Sequence, residues 1–196
     1  AAHWVMAVAA GNVILFYQSS DLKTWGPTGG FGLGYGATCG VWETPDLFPL
    51  SVDDGQETRW VLSVAIGDCA PASGSGVQYF VGDFDGRTFT SLNPKPTVLW
   101  ADWGADFYAP QSWGDAPAGR RLWAGWLNNW SYAQAIPTST WRGALTLPRD
   151  LSLRTTSDGL RLAQQPVAEL ATLRGRHWSW PAATITPGEN LLAEVS

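Results

Sequence analysis

Charge is scarce in this 196-residue sequence: 12 Lys or Arg and 17 Asp or Glu make up only 15% of it, well under the ~25% usual for globular domains. The net charge of −5 leaves no cationic surface to neutralise phosphates, which excludes nucleic acid as an expected partner. Long apolar runs are missing too. Two stretches carry no charge, Thr24 to Trp42 and Leu122 to Trp141, but glycines interrupt the first and Asn, Gln, Ser and Thr fill the second. Neither would partition into lipid, so no membrane partner is expected. Two cysteines, Cys39 and Cys69, are too few for a disulfide framework. They form either one bridge in an oxidising compartment or two buried thiols. His3 and His177 stand alone, with no second ligand at useful spacing, so neither metal nor other cofactor is expected. Helical periodicity is also lacking. The best helix candidate, Val167–Leu173, is shorter than an isolated helix needs.

What the chain does have is tryptophan (13 residues) and 45% hydrophobic residues, enough to bury a core and to exclude disorder. Strand patterns dominate. Trp4–Ala9, Asn12–Tyr17, Trp60–Ala65 and Val77–Val81 are short, rich in β-branched and aromatic residues, and bounded by turn formers. Gly11-Asn12 reads as a turn, and Asp83-Phe84-Asp85-Gly86 ends a strand on an Asp-Gly turn. Further strands are expected at Phe107–Trp113, Arg121–Leu127, Arg142–Leu147 and Leu151–Arg154. Trp4-Val5-Met6, Trp60-Val61-Leu62 and Leu122-Trp123-Ala124 open buried strands at intervals of roughly 60 residues, a spacing like that of propeller blades. The expected fold is therefore all-β, with about three blades in residues 1–165. Propellers close with roughly 4–8 blades, so the sequence reads as part of a longer chain. The alternative is a complete three-unit β domain. After Gln165 the chain changes character: Pro166, Pro181 and Pro187 punctuate it, and Ala183–Val195 could begin strands of a second module.

With so few acids, each can be weighed. Glu43 follows 19 uncharged residues and sits beside Trp42 and Pro45. Desolvation in such a setting raises a carboxyl pKa and lets it donate a proton near neutrality. The plainer reading is a strand-edge Glu in a surface turn.

Its neighbours are specific. Trp42-Glu43-Thr44-Pro45-Asp46-Leu47-Phe48 resembles the W-E-C-P-D-[LF]-F signature of glycoside hydrolase family 32, the β-fructofuranosidases (invertases, inulinases and levanases). Asp102-Trp103-Gly104-Ala105-Asp106-Phe107-Tyr108-Ala109-Pro110-Gln111-Ser112-Trp113 is similar to that family's D-x-G-x-D-F-Y-A-x-Q-x-[FW] stretch. The run from Trp123 through Gly125-Trp126-Leu127-Asn128-Asn129-Trp130 and Pro137-Thr138 to Trp141-Arg142 and Leu147-Pro148-Arg149-Asp150-Leu151 resembles a third block. Val77–Thr90 is similar to its Q-Y-F-x-G-x-F-D-G edge. The blocks stand in family order over most of residues 1–165.

The resemblance implies a five-bladed β-propeller followed by a C-terminal β-sandwich, with residues 1–165 as part of the propeller and 166–196 as linker and beginning of the sandwich. It implies retaining release of terminal β-fructosyl units from sucrose, levan or inulin, with two carboxyls ~5–5.5 Å apart. Glu43 would be the acid/base and Asp46 would orient its loop. Asp102 and Asp106 would bond sugar hydroxyls or else cap turns, and Gln111 would serve the leaving group. Trp126 would stack on the sugar or pack in the core, and Trp42 would line the pocket. The family's nucleophile motif (W-M-N-D-P-N) and its stabilising R-D-P motif do not occur here; both are expected upstream, and the isolated chain is expected to be nearly inactive. Thr44 replaces the family's Cys. Asn129-Trp130-Ser131 has the form of a glycosylation sequon, but it lies inside a site block and no glycan is expected there. Two other readings share these residues: a non-catalytic carbohydrate-binding propeller, and a fructosyltransferase in which a sugar replaces water. A fructose-containing oligo- or polysaccharide is the expected partner and an extracellular setting the expected location, with a cytoplasmic one still open.

Overall fold

In the computed structural model, which describes residues 3–190, 192 and 193, turn formers cut the chain into thirteen short strands. β1 (Trp4–Ala9), β2 (Ile14–Ser19) and β3 (Gly26–Phe31) make a first antiparallel sheet. β4 (Trp42–Ser51), β5 (Thr58–Ile66), β6 (Gly76–Phe84) and β7 (Phe89–Ser91) make a second, with β8 (Leu99–Trp100) continuing along the same edge of β6 as β7. In the third sheet β9 (Tyr108–Ala116) pairs with β10 (Arg120–Leu127). The other edge of β10 takes both β11 (Ala144–Leu145) and β12 (Arg149–Thr156), and β13 (Gly159–Pro166) closes the order. The second and third sheets are thus four positions wide with one position split, as in a propeller blade.

The turns follow their residues. Gly11 adopts φ +70° and the Ala10 amide bonds to the Val13 carbonyl at 2.9 Å, closing the expected first turn. Asp85 Oδ1 accepts from the amides of Arg87 (2.8 Å) and Thr88 (2.7 Å), so the Asp-Gly turn joins β6 to β7. The repeat read from Trp4, Trp60 and Leu122 aligns β1, β5 and β10. Each unit with a four-position sheet begins one strand earlier than that reading places it, at β4 and at β9. Sequence patterning also misses β3, whose Gly26, Gly29 and Gly30 depress strand propensity, and β13, whose polar edge hides its period.

Alternation places the core. In β6, Val77, Tyr79 and Val81 face one cluster, with Phe48, Phe107, Trp123 and Leu153; Phe80, one position out of phase, faces another, with Ile14, Phe16, Phe31, Trp42 and Leu62. The middle sheet is buried on both sides, which is why β5 and β6 read as nearly continuous apolar runs. Cys39 and Cys69 are joined as a disulfide, tying the loop before β4 to the loop after β5. Beyond β13, the expected helix is a 3-10 turn over Ala168–Leu173, held by an Arg120–Glu169 ion pair at 2.6 Å. Among the described residues of Ala183–Val195 there are turns and no strand, so the strands expected there are not found; residues 191, 194 and 195 lie outside the described residues.

Candidate active site

Trp42 is 1% exposed. Its ring packs against Phe80, and its Nε1 donates to the Ala37 carbonyl at 2.8 Å. The expectation that Trp42 lines a pocket is therefore corrected: it is an anchor in the core, and its neighbour points the other way. Gln78, fully buried, holds the same loop through Ala37, accepting from its amide at 2.8 Å and donating to its carbonyl at 3.0 Å.

One extra residue then sits in β4. Glu43 opposes Ala65 and Asp46 opposes Ser63, a β-bulge in which Thr44 takes φ +45°. That conformation is strained for a β-branched side chain, and such strain concentrates at functional positions. The bulge shifts the period by one. Glu43 thereby shares the face of Asp46, Phe48, Leu50 and Val52, which is turned toward the third sheet. The same device recurs in β9, where Trp126 opposes Tyr108 and Ala124 opposes Gln111, with Ala109 at φ +47°. Trp42-Glu43-Thr44-Pro45 and Phe107-Tyr108-Ala109-Pro110 are structural equivalents: a buried aromatic, a functional side chain (exposed Glu43, buried Tyr108), a left-handed residue, and a proline that needs no ladder hydrogen bond.

The two bulged strands meet at those residues. The Tyr108 hydroxyl donates to Glu43 Oε2. The Ser112 amide donates to Asp46 Oδ2 at 2.7 Å, and Gln111 Nε2 donates to the Thr44 carbonyl at 3.3 Å. Glu43 itself is exposed, so the desolvated setting expected from its uncharged approach is not found. Burial of Tyr108, reinforced by the acceptor Glu43, pushes its phenol well above the usual value of 10. Tyr108 therefore stays a donor at any working pH. Replacing Glu43 with Gln keeps an acceptor for the hydroxyl but removes the negative charge that disfavours the phenolate. A phenolate-absorbance titration should show one tyrosine ionising at lower pH in that variant than in the parent; an unchanged titration would separate Tyr108 from Glu43.

Aromatic rings frame this contact. Trp126 and Trp130 each lie 6.3 Å from the Tyr108 ring and 5.0 Å from one another. Trp126 is half-buried and donates from Nε1 to the Arg142 carbonyl at 2.8 Å. Gly143, at φ +73°, leaves room for it: a Cβ there would stand 2.5 Å from Trp126 Nε1. Trp130 is 51% exposed.

Asn129 holds the Trp130 loop in place. It is fully buried; its Nδ2 donates to the carbonyls of Ser73 (3.0 Å), Ser75 (3.2 Å) and Ala105 (2.8 Å). Its Oδ1 accepts from the Ser75 and Ser131 amides and the Ser131 hydroxyl. The sequon asparagine is thus a buried structural hub. The remaining acids divide. Asp102 pairs with Arg149 at 2.6 Å and caps Gly104 at 2.8 Å. Asp106 accepts from the Tyr132 hydroxyl.

The cavities lie elsewhere. One of about 630 Å³ is lined by Leu50, Asp54, Arg120, Arg121 and Arg154, and another of about 370 Å³ by Val13, Phe31, Tyr35 and Lys95. Chemistry locates the site better than enclosure does, because Glu43 stands on an open face between two sheets. Among the described residues no three His, Cys, Asp or Glu side chains gather as metal ligands would.

Residues 1–166 match the model of the glycosyl hydrolases family 32 N-terminal domain. The chain is 50% identical to a levanase of Bacillus subtilis, over 98% of this chain and 29% of that protein. It is 39% identical to an extracellular exo-inulinase of Aspergillus niger, over 89% and 34% respectively. Among solved structures, the exo-inulinase of Aspergillus awamori superposes with a TM-score of 0.74 at 40% identity, covering 83% of this chain and 32% of that one. A β-fructofuranosidase of Schwanniomyces occidentalis complexed with fructosyl-erythritol superposes at 0.75 with 33% identity, covering 84% and 33%. The chain spans about a third of the length of these relatives.

Proposed function

The chain belongs to glycosyl hydrolases family 32, and on that premise we propose that it is part of a secreted β-fructosidase that releases terminal fructosyl units from levan, inulin or sucrose. Glu43 is the acid/base. The observation that carries this role is the pairing of an exposed Glu43 with a Tyr108 donor across two bulged strands. Tyr108 occupies Oε2 and leaves Oε1 for the substrate, so the carboxyl presents one defined oxygen to the scissile bond. In the first step a carboxylate nucleophile attacks the anomeric carbon while Glu43 protonates the departing oxygen. In the second step Glu43 takes a proton from water, which displaces the nucleophile and releases fructose. Asp46 fixes the relation of β4 to β9 rather than reacting, and Asp102, ion-paired and turn-capping, acts through Arg149. Trp126 and Trp130 offer flat apolar surface to the C–H faces of a sugar.

The nucleophile belongs to sequence outside residues 1–196, as do the remaining blades of a five-bladed propeller. Residues 166–196 serve as the linker toward a β-sandwich, with no strand beyond β13 among the described residues. The extracellular relatives and the Cys39–Cys69 disulfide support export to an oxidising compartment. An assay of fructose release settles the matter. The complete protein should turn over levan, inulin or sucrose and the isolated 196-residue chain should not. Robust turnover by the isolated chain, or none by the complete protein, would remove this reading.

A further inference from the structure

Gln78 stands where the pattern of β6 calls for a hydrophobe. It faces the same way as Phe80, toward the cluster of Phe31, Trp42, Leu62 and Val64, and it is fully buried. An amide in that setting is costly unless its hydrogen bonds are made. Here both ends are matched to a single residue in the loop before β4. Oε1 accepts from the Ala37 amide at 2.8 Å, and Nε2 donates to the Ala37 carbonyl at 3.0 Å. The same carbonyl accepts from Trp42 Nε1 at 2.8 Å. A chain of contacts therefore runs from Gln78 through Ala37 to the Trp42 indole, and the next residue is Glu43.

The loop is held from other sides as well. Asn12 Nδ2 donates to the carbonyls of Thr38 (3.2 Å) and Gly40 (2.5 Å), and Cys39 is joined to Cys69. The Trp42 amide donates to the Gly11 carbonyl at 2.9 Å. Gly36, at φ +62°, gives the loop room: a Cβ there would collide with Gln78 Oε1 and stand 2.8 Å from the Phe80 ring. A buried polar network satisfied in this way rigidifies what it holds. Packing seats the Trp42 ring, and the bonds through Ala37 fix its rotation. Any rotation of that ring would carry the Glu43 backbone with it, and a displacement of about 1 Å at a catalytic group can cost on the order of 10²-fold in rate.

We propose that Gln78 is a positioning residue for Glu43, aiming its carboxyl at the bond to be cleaved by acting through Ala37 and Trp42. The inference rests on the fructosidase reading above and deepens it. It traces the aim of the acid to a buried side chain that, among the described residues, hydrogen-bonds to Ala37 alone.

The test compares Gln78→Met with the parent in the complete protein, on sucrose and on p-nitrophenyl β-D-fructofuranoside. Met is of similar size and makes neither hydrogen bond. Sucrose needs its leaving oxygen protonated, whereas the aryl oxide leaves without help. A misaimed Glu43 should lower kcat on sucrose by roughly 10- to 100-fold. KM should stay within about 2-fold of the parent, because groups that bind the sugar are untouched. In a single turnover of the aryl substrate, p-nitrophenolate release should keep the parent's rate. Asn12→Ala frees the same loop without opening the core and should show the same split at smaller amplitude; it carries the test if Gln78→Met fails to fold. An equal loss on both substrates would make Gln78 merely structural and overturn the proposal, as would an unchanged kcat on sucrose. A parent protein inactive on both would remove the fructosidase reading, and this inference with it.

Discussion

Glu43→Gln in the complete protein should lower fructose release from sucrose, inulin and levan by roughly 10²–10⁴-fold, the range contributed by a positioned general acid/base. The fold should be untouched. Glu43 is exposed, and among the described residues its side chain takes part in no ion pair and bonds to the Tyr108 hydroxyl alone. The Gln carbonyl can accept that same hydrogen bond, so the thermal midpoint should move by no more than a degree or two. Large kinetic loss at unchanged stability separates a chemical role from a structural one. Activity measured beside a thermal melt of the same sample provides the check. A Gln variant with wild-type rates would leave Glu43 as a surface residue in a bulge.

The second large effect belongs to a residue with no chemistry of its own. Asn129→Ala leaves the carbonyls of Ser73, Ser75 and Ala105 and the Ser75 amide without the amide side chain that now satisfies them. Each buried polar group left unpaired costs about 1–3 kcal/mol. Relaxation and water will recover part of this, so a loss of about 3–5 kcal/mol is expected, at the upper end for a single substitution. The melting temperature of the complete protein should fall by roughly 3–6 °C, the shift such a loss gives in a chain several times longer than this one. Because Asn129 also fixes the loop bearing Trp130 and Tyr132, KM for fructans should rise in the same variant. A melt of Asn129→Ala that overlays the parent would show that the hub is dispensable. Gly74 belongs to the same joint: at φ +68°, a Cβ there would stand 2.1 Å from Asn129 Oδ1.

Much of the fold is legible from the sequence because period and turn chemistry act locally. Val77, Tyr79 and Val81 alternate with Gln78 and Phe80 wherever the strand sits, and Asp85-Gly86 makes its turn from its own side chain and backbone. The site is less so, because its geometry depends on register between strands. Nothing local says that Trp42 faces the core while Glu43 shares the face of Asp46; the single inserted residue at Thr44 decides it. The pairing of Tyr108 with Glu43 spans 65 positions and follows from the contact between two first strands. A signal for it does exist in the sequence, unread until β4 and β9 are superposed: an aromatic residue three positions before a proline, at Trp42–Pro45 and again at Phe107–Pro110. Asn129 misleads in the opposite direction. Its sequon suggests an exposed side chain, whereas hydrogen bonds from four residues around it, Ser73, Ser75, Ala105 and Ser131, enforce burial.

The central claim is that Glu43 gives a proton to the leaving group and later takes one from water. Pre-steady-state kinetics of Glu43→Gln on p-nitrophenyl β-D-fructofuranoside tests both halves at once. An aryl oxide leaves without protonation, so the first step should stay fast, while the second lacks its base. The account predicts a burst of about one p-nitrophenolate per protein followed by slow turnover that added azide accelerates, with no corresponding release from sucrose. Steady turnover of both substrates at the parent's rates, without a burst, would contradict it.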